Sequence, residues 1–229
     1  PVNLFFTKEG YFKKITPQSL RMSGEQKLKD GDEIIQELEF TNNCDLLFFT
    51  DKCQVYKAKA DDFAQTKASV LGDYVAAKLG FDEGENAVKM VVTKDYKGML
   101  LFAFENGKAA KVPLESYATK TNRKKLTGAY SDKSPLVGLL YMPEDEEVLF
   151  KASSGNMLLV HTGALALKTT RSTQGVAVLK PKKGHRLFSI ERYKDGTFIN
   201  PKRYRTGSLP ARGALPVNDD SKDEQLSLI

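Results

Sequence analysis

The chain has 229 residues, of which 41% are hydrophobic and 28% are charged, and its formal net charge at pH 7 is +6. This length is enough for one large domain or two small ones with a substantial apolar core. No apolar run approaches the roughly 20 residues that a membrane-spanning helix needs, and two cysteines are too few for a disulfide scaffold. The basic excess makes a nucleic acid the first candidate partner, ahead of an anionic membrane or an acidic protein.

A phrase of seven residues recurs along the chain and supplies the strongest structural signal. Its four copies occupy residues 4–10, 47–53, 101–107 and 149–155. The final residue of each copy is glycine, except that Cys53 stands in that place in the second copy. Repeats at such spacings indicate a small supersecondary unit used several times, because one copy could not bury its own apolar face.

Each copy is predicted to open a β-hairpin, because Leu and Phe favour strands and the residues that follow favour a tight turn. The second arms of the hairpins are residues 11–15, 54–58, 108–112 and 156–160. Further strand-like segments start near residues 30, 83, 134 and 183. Four strands in a unit of roughly 40 to 50 residues are typical of a propeller blade. Helical periodicity is weak and confined to residues 68–79 and 225–229.

One position of the repeat is basic in three copies of four. The fourth residue past the turn is Lys14, Lys57, Lys111 and then Leu159. A lysine that returns at the same step of successive second strands is a candidate for a repeated contact with an anionic partner. The fourth copy departs from this pattern and is expected to bind through other cations.

The chain changes character towards its C-terminus. Residues 188–199 are interpreted either as a degenerate fifth blade or as the closing segment of a ring. From about Thr206, glycine and proline interrupt the chain and acidic residues follow. We therefore predict a β domain over residues 1–205 and a flexible acidic tail over residues 206–229.

Positive charge is concentrated in the segments between the predicted hairpins. Residues 120–125 hold four cations and no acid, and residues 168–175, 180–186 and 202–205 hold further cations. Lysine and arginine neutralise successive phosphates, whereas hydroxyl and glycine N–H groups fix position without reading bases. A single lysine is more simply a solvated loop charge, but clusters at related places in a repeat favour DNA binding. The predicted contacts are Lys13, Lys14, Lys57, Lys111, Lys120, Arg123, Lys124, Lys125, Arg171, Lys182 and Lys183.

The residue types needed for catalysis or metal binding do not form a recognisable pattern. His161 and His185 stand apart, with no cysteine or carboxylate at ligand spacing. Cys44 and Cys53 are interpreted as unpaired thiols. No nucleophile–base pattern is present, so neither catalytic nor metal-binding residues are predicted.

Three segments resemble a known family. Residues 4–16 resemble the opening of the C-terminal domain of gyrase A and topoisomerase IV A subunits, with its Gly-Tyr turn, basic strand and Thr-Pro. Residues 104–117 resemble a later blade of that domain, and residues 170–176 resemble its Arg-x-x-x-Gly-Val loop. The resemblance extends over roughly residues 3–190, and the order and spacing of the motifs carry it.

The resemblance implies an all-β fold called a β-pinwheel, a propeller-like array of four-stranded blades that exchange strands with their neighbours. It implies four repeats and leaves a degenerate fifth open. The family's domain binds duplex DNA on its basic rim, bends or wraps it, and presents a segment for strand passage. The expected location is the cytoplasm, with the nucleoid and without a membrane.

The resemblance also assigns the chemistry to other parts of the parent enzyme. That enzyme is an ATP-dependent type IIA topoisomerase whose nucleophilic tyrosine, metal site and ATPase lie outside this kind of domain. No cofactor is expected in this chain, whereas the parent uses ATP and Mg. The expected partners are duplex DNA, the B subunit and the catalytic core of the same A subunit.

One departure from the family bears on the choice of parent. The Gln-Arg-Arg-Gly-Gly-Lys-Gly box of gyrase A is absent, and residues 20–29 stand at the equivalent place without its double arginine. This favours a topoisomerase IV-like domain. A gyrase domain with a degenerate box, for which the loops at Thr121 and Ser172 are candidates, is the first alternative. A protein-binding propeller and a propeller enzyme with a channel site are the others.

Overall fold

The computed structural model describes residues 1–121, 123–218 and 220, and these form an almost entirely β structure. They divide into two compact units. Unit 1 comprises Pro1–Tyr96 and Thr119–Ala129, and unit 2 comprises Lys97–Ala118 and the described residues from Tyr130 onwards. The helices of the described ranges, α1 (Pro17–Arg21) and α2 (Val75–Leu79), have neither the length nor the apolar character to cross a membrane.

Unit 1 contains two antiparallel four-stranded sheets, blades 1 and 2. In spatial order, blade 1 consists of β3 (Ile34–Phe40), β1 (Val2–Thr7), β2 (Tyr11–Ile15) and β6 (Asp73–Tyr74). Blade 2 consists of β10 (Lys125–Leu126), β5 (Val55–Lys59), β4 (Asp45–Thr50) and β7 (Ala87–Thr93). The predicted hairpin is the central pair of each blade, β1–β2 or β4–β5.

Unit 2 contains blades 3 and 4. In spatial order, blade 3 consists of β11 (Leu136–Met142), β8 (Met99–Phe104), β9 (Lys108–Pro113) and β14 (Val176–Ala177). Blade 4 consists of β13 (Met157–His161), β12 (Glu147–Ala152) and β15 (Leu187–Arg192). The remaining predicted hairpins are β8–β9 and β12–β13, so the hairpin prediction is confirmed for all four copies.

The repeated Leu-Phe phrase forms the first hairpin strand because both faces of that strand are covered. All six residues of β1 are buried. Leu4 and Phe6 belong to a core shared with blade 2, where the ring centroids of Phe6 and Phe48 lie 5.7 Å apart. Phe5 belongs to a second cluster that includes Ala68. The phrase is therefore a continuous apolar run. It lacks the alternation of apolar and polar residues that is expected of a strand with one solvent-exposed face.

The second, third and fourth hairpins are each followed by a segment that returns to the preceding blade. After β4–β5 the chain forms a 3₁₀ turn (Ala60–Asp62) and a loop, and then pairs as β6 with β2 of blade 1. After β12–β13 it forms the 3₁₀ turn Thr162–Ala164 and a loop, and pairs as β14 with β9 of blade 3. We call residues 64–72, 119–124 and 166–175, which precede β6, β10 and β14, the exchange loops.

Glycine closes two exchange loops where one backbone passes close to another. A Cβ atom on Gly175 would lie 1.9 Å from the carbonyl oxygen of Ala109, and one on Gly72 would lie 2.4 Å from that of Phe12. In blade 2, the residue aligned with these glycines by strand register is Lys125. Its Nζ lies 3.2 Å from Oδ1 of Asp82. The Arg-x-x-x-Gly pattern therefore marks a site of strand exchange.

Blade 4 is completed by residues from the C-terminal part of the chain. Ala214 pairs antiparallel with Met157, and Arg205 pairs parallel with Leu159. Residues 193–200, where a fifth hairpin would stand, form a turn instead, and the 3₁₀ turn Pro201–Tyr204 follows. The described residues thus keep the returning segment of a fifth repeat without its hairpin or its sheet.

The returning segment also bears on the predicted tail. The predicted tail begins at Thr206, but this residue falls inside the stretch from Arg205 to Ala214, and both ends of that stretch pair with β13. Asp220 is buried, and its backbone carbonyl accepts a hydrogen bond from the N–H of Ile199 at 2.8 Å. The segment from Thr206 to Ala214 is thus part of the fold of unit 2. Residues 219 and 221–229 of the predicted tail lie outside the described residues.

The helices only partly match the expected positions. Helix α2 lies within residues 68–79, as predicted, and the predicted turn at 225–229 lies outside the described residues. Helix α1 has no counterpart among the predicted elements, because five residues are too few for a periodic pattern. Thr16 caps it by accepting a hydrogen bond from the N–H of Ser19 at 3.2 Å, and Pro17 occupies its first turn.

We expect Gly175→Ala to lower the free energy of unfolding by more than Gly184→Ala. Both glycines have positive φ, +75° and +79°, but a Cβ on Gly184 meets nothing within 4 Å. The strained backbone alone costs of order 1–3 kcal/mol, and Gly175→Ala adds the clash with Ala109. Urea unfolding of both variants measures the difference, and equal losses would contradict the role assigned to Gly175.

Candidate nucleic-acid interface

The lysine that recurs at the fourth position past the turn lies inside the fold. Lys14 is 3% exposed and Lys111 is 5% exposed. The Nζ of Lys14 donates to the carbonyl of Ala60, and the Nζ of Lys111 donates to the carbonyl of Thr162, each at 2.9 Å. Both acceptors open the 3₁₀ turn that follows the next hairpin. The repeated lysine therefore ties one blade to the next within each unit.

A second acceptor completes each of these contacts. The Nζ of Lys14 donates to Oδ1 of Asn42 at 2.7 Å, and the Nζ of Lys111 donates to Oδ1 of Asp145 at 2.9 Å. The hydroxyl of Thr162 and the ammonium of Lys111 together hold the pKa of Asp145 below its ordinary value. A carboxylate with a lowered pKa stabilises the fold above its ordinary pKa, and that contribution is lost as the pH falls through the lowered value.

Lys13 is also buried, at 1% exposure, and points to the other side of its strand. Its Nζ donates to the carbonyls of Lys27 and Ala68, both at 3.1 Å, and burial lowers its pKa. An ammonium held in this way leaves no charge at the surface for a phosphate. We therefore assign Lys13, Lys14 and Lys111 a structural role and leave them out of the proposed interface.

In the second and fourth copies of the repeat, this position is occupied by Lys57 and by Leu159. Lys57 is half-buried, and its Nζ lies 3.2 Å from the hydroxyl of Thr119 and 5.2 Å from the ring centroid of Tyr96. Leu159 is buried in a cluster with Phe198 and Tyr204. No hairpin follows blade 4 in the described residues, so apolar packing replaces the ammonium contact in this copy.

Exchange loop 119–124 carries three of the predicted cations in exposed positions. Lys120, Arg123 and Lys124 all lie at the surface, and no acidic residue occurs between positions 119 and 125. The loop is tied to β5 because the N–H of Lys57 donates to the carbonyl of Lys124 at 2.7 Å. Lys124 is thereby held at the end of the loop, next to Arg123.

Two predicted contacts are engaged within the protein. Lys125 is exposed but pairs with Asp82, and its Nζ lies 5.5 Å from the ring centroid of Tyr56. The hydrogen bond from Lys125 to Asp82 raises the pKa of this lysine. Arg171 is half-buried on exchange loop 166–175 and donates through Nη1 to the carbonyl of Ser116 at 2.9 Å. Both side chains position their loops and retain a charge near the surface.

The later basic clusters are partly neutralised. Lys182 is half-buried and Lys183 is exposed. Arg186 pairs with Glu105 at 2.8 Å, and Arg205 pairs with Glu147 at 2.7 Å. The two predicted lysines therefore remain candidates, whereas the arginines around them belong to surface ion pairs that contribute little on their own.

Exchange loop 64–72 occupies the same place in the repeat as exchange loops 119–124 and 166–175, but it was not among the predicted basic clusters. Exchange loop 64–72 begins beside Lys14, where the N–H of Thr66 donates to its carbonyl at 2.9 Å. Exchange loop 166–175 begins in the same way, since the N–H of Lys168 donates to the carbonyl of Lys111 at 2.8 Å. Loop 64–72 carries Lys67, which lines a surface groove. A single lysine gives no charge cluster in the sequence, so only the alignment of the loops reveals it.

No metal centre can be assembled from the residues that the structure describes. They contain no group of three or more His, Cys, Asp or Glu residues placed to hold a metal ion. Burial and the carboxylate of Asp45 raise the pKa of Cys44 to about 11, which keeps this thiol protonated and unreactive at neutral pH. The exposed cations of the loops are the chemically distinctive feature.

Comparison with known proteins finds relatives that cover most of the chain. No family model matches the chain. It is 26% identical over 210 residues to the A subunit of DNA gyrase from Streptomyces coelicolor, covering 84% of this chain and 24% of that protein. It is 25% identical over 170 residues to the A subunit of DNA topoisomerase 4 from Staphylococcus epidermidis, covering 72% and 21%. The chain is a homologue of gyrase and topoisomerase IV A subunits.

The fold agrees with this relationship. The crystal structure of the C-terminal domain of DNA topoisomerase IV superimposes with a TM-score of 0.74 at 24% identity, over 86% of this chain and 62% of that one. The predicted all-β fold of small antiparallel blades is confirmed; blades 1 to 3 have four strands each and blade 4 has three. The chain spans about a quarter of the length of the curated gyrase relative that it matches.

We expect Lys111→Met to destabilise the fold without weakening DNA binding. The substitution removes two hydrogen bonds from a buried ammonium, and bonds to charged groups contribute about 1.5–3 kcal/mol each. Lys108→Met on the same strand is the matched control, because Lys108 is only half-buried. Urea unfolding and duplex titration of both variants test this. If the Lys111 variant kept its stability but bound DNA more weakly, Lys111 would belong to the DNA interface.

Proposed function

We propose that the chain is the non-catalytic, DNA-binding C-terminal domain of a type IIA topoisomerase A subunit. It binds duplex DNA through its exchange loops and bends it, so that a segment is presented for strand passage. The observation that carries the proposal is exchange loop 119–124, with three cations at the surface and no acid. The homology of the chain to gyrase and topoisomerase IV A subunits supports the same function.

The proposed contacts follow from exposure. The exposed Lys120, Arg123, Lys124 and Lys183 bind phosphates directly, and the half-buried Lys57, Arg171 and Lys182 contribute weaker contacts. Contacts of this type depend on charge and spacing, so binding is largely independent of base sequence and weakens steeply with salt. The partners are duplex DNA, the B subunit and the catalytic core of the same A subunit. The whole enzyme, with ATP and Mg, acts in the cytoplasm at the nucleoid.

We favour a topoisomerase IV-like parent, in which the domain bends DNA without wrapping it chirally. Residues 20–29, at the place of the gyrase box, lack its double arginine. A gyrase parent is the second candidate, because gyrase A subunits are among the relatives at 26% identity. A protein-binding propeller would need an apolar or mixed docking face in place of exposed cations.

Replacing Lys120, Arg123 and Lys124 together by glutamine should weaken duplex binding and flatten its salt dependence. Each lost phosphate contact reduces the slope of log K against log salt by about 0.9. Fluorescence anisotropy with a labelled duplex at several salt concentrations measures both quantities. Lys78→Gln, on helix α2, removes a cation outside the exchange loops and serves as the control.

The outcomes of this titration discriminate between the functions. A smaller slope in the triple variant and an unchanged slope in the control support the proposal. Affinity that stays flat between low and moderate salt in the unaltered chain would overturn it. If Lys78→Gln lost as much affinity per removed charge as the triple variant, the binding would be general electrostatic attraction and not a site.

The choice of parent has its own test. Relaxed circular DNA is incubated with the chain and a nicking–closing topoisomerase, and the distribution of topoisomers is read on a gel. We expect binding without a shift of this distribution, because bending alone traps no writhe. A supercoil shift would indicate chiral wrapping and favour the gyrase parent, while leaving the DNA-binding proposal intact.

A further inference from the structure

A groove in unit 1 lies beside exchange loop 64–72. Its volume is about 520 Å³, and its walls are helix α1 with the turn that follows it and the exchange loop itself. The lining includes Thr16, Ser19, Ser23, Lys67 and Ser69, and it contains no carboxylate among the described residues. Hydroxyl groups together with a lysine are the donors that hold a phosphodiester backbone. The composition of the groove therefore suits one strand of a nucleic acid.

Buried bonds hold the two walls of the groove together. The N–H of Lys27 donates to the carbonyl of Ala68 at 2.8 Å, and the ammonium of Lys13 bridges the carbonyls of these two residues. Ser23 donates its hydroxyl to the carbonyl of Ser19 at 2.5 Å, which fixes the turn after α1. A groove built in this way keeps its width when a ligand enters.

Met22 lines this groove and projects into water. It is 81% exposed, the largest exposure among the large apolar side chains of the described residues. Its backbone is held, because its N–H donates to the carbonyl of Gln18 at 3.2 Å as the cap of α1. An apolar side chain presented to water on a rigid support, beside a hydroxyl-lined groove, has the form of the wedges by which proteins kink duplex DNA.

We propose that the groove holds one DNA strand by its phosphates and that Met22 enters between neighbouring base pairs. This inference rests on the proposed function and adds the residue that would localise the bend. Lys67, Ser19 and Ser69 hold the backbone, while the thioether side chain partly unstacks one base step. Flexible pyrimidine–purine steps unstack most easily, so the kink should favour a TA or CA step.

The test uses the 229-residue chain and its Met22→Ala variant. A duplex of about 30 base pairs carries a fluorophore at each end, so that bending raises energy transfer. A second duplex carries 2-aminopurine at a central TA step, whose fluorescence rises on unstacking. We expect Met22→Ala to lose most of the transfer change and of the 2-aminopurine signal, with an affinity loss of no more than a few-fold.

Two further variants serve as controls, and a third tests the phosphate contact of the groove. Met22→Leu keeps an apolar wedge and should restore both signals. Val70→Ala removes an exposed apolar side chain from the same exchange loop, outside the groove lining, and should leave both signals unchanged. Lys67→Ala should weaken binding and lower the salt slope by about one, as expected for one phosphate contact.

The outcomes separate the wedge from the proposed function. If the unaltered chain binds and bends the duplex and Met22→Ala bends it equally, the wedge is overturned and DNA binding stands. If Val70→Ala loses the signals as fully as Met22→Ala, the effect is not specific to the groove and the wedge is also overturned. If the unaltered chain does not bind the duplex, the proposed function fails and the wedge fails with it.

Discussion

A buried lysine ammonium that reaches a backbone carbonyl of the next blade is the contact on which each unit depends. Lys14 makes it in unit 1 and Lys111 in unit 2. An ammonium cannot be left unpaired in an apolar interior without a large free-energy penalty, so the carbonyl and the second acceptor must lie in place. The contact thereby specifies the position of the following hairpin more than it adds net stability. Where no hairpin follows in the described residues, Leu159 packs against Phe198 and Tyr204 instead.

The same strand that carries the buried lysine also anchors the proposed interface. The backbone carbonyls of Lys14 and Lys111 accept the first hydrogen bonds of exchange loops 64–72 and 166–175. Side chains of these lysines face the interior while the loops that they anchor face water. Structural and proposed DNA-binding cations are therefore adjacent in the fold. Their chemical type is identical, and only burial separates their roles.

Much of the fold could be predicted from local patterns, and much of the candidate site could not. The hairpins followed from β-forming residues next to turn residues, which act over a few positions. The basic loop around Arg123 was equally visible, because its charges are contiguous. The prediction that Lys14 and Lys111 contact phosphates did not foresee their burial, since a lysine in a strand gives no local sign of burial. Lys67 escaped prediction because it stands alone in its loop.

Side-chain type, turn chemistry and short-range spacing were enough to specify the hairpin at the centre of each of the four blades and the basic loops between hairpins. Three further features became visible only in the folded chain: which strands are exchanged, that Thr206–Ala214 completes blade 4, and which lysines are buried. These features depend on partners more than 40 residues away, such as Ala60 for Lys14. Such a distant partner fixes whether a charge faces water or a carbonyl, and no local pattern encodes it.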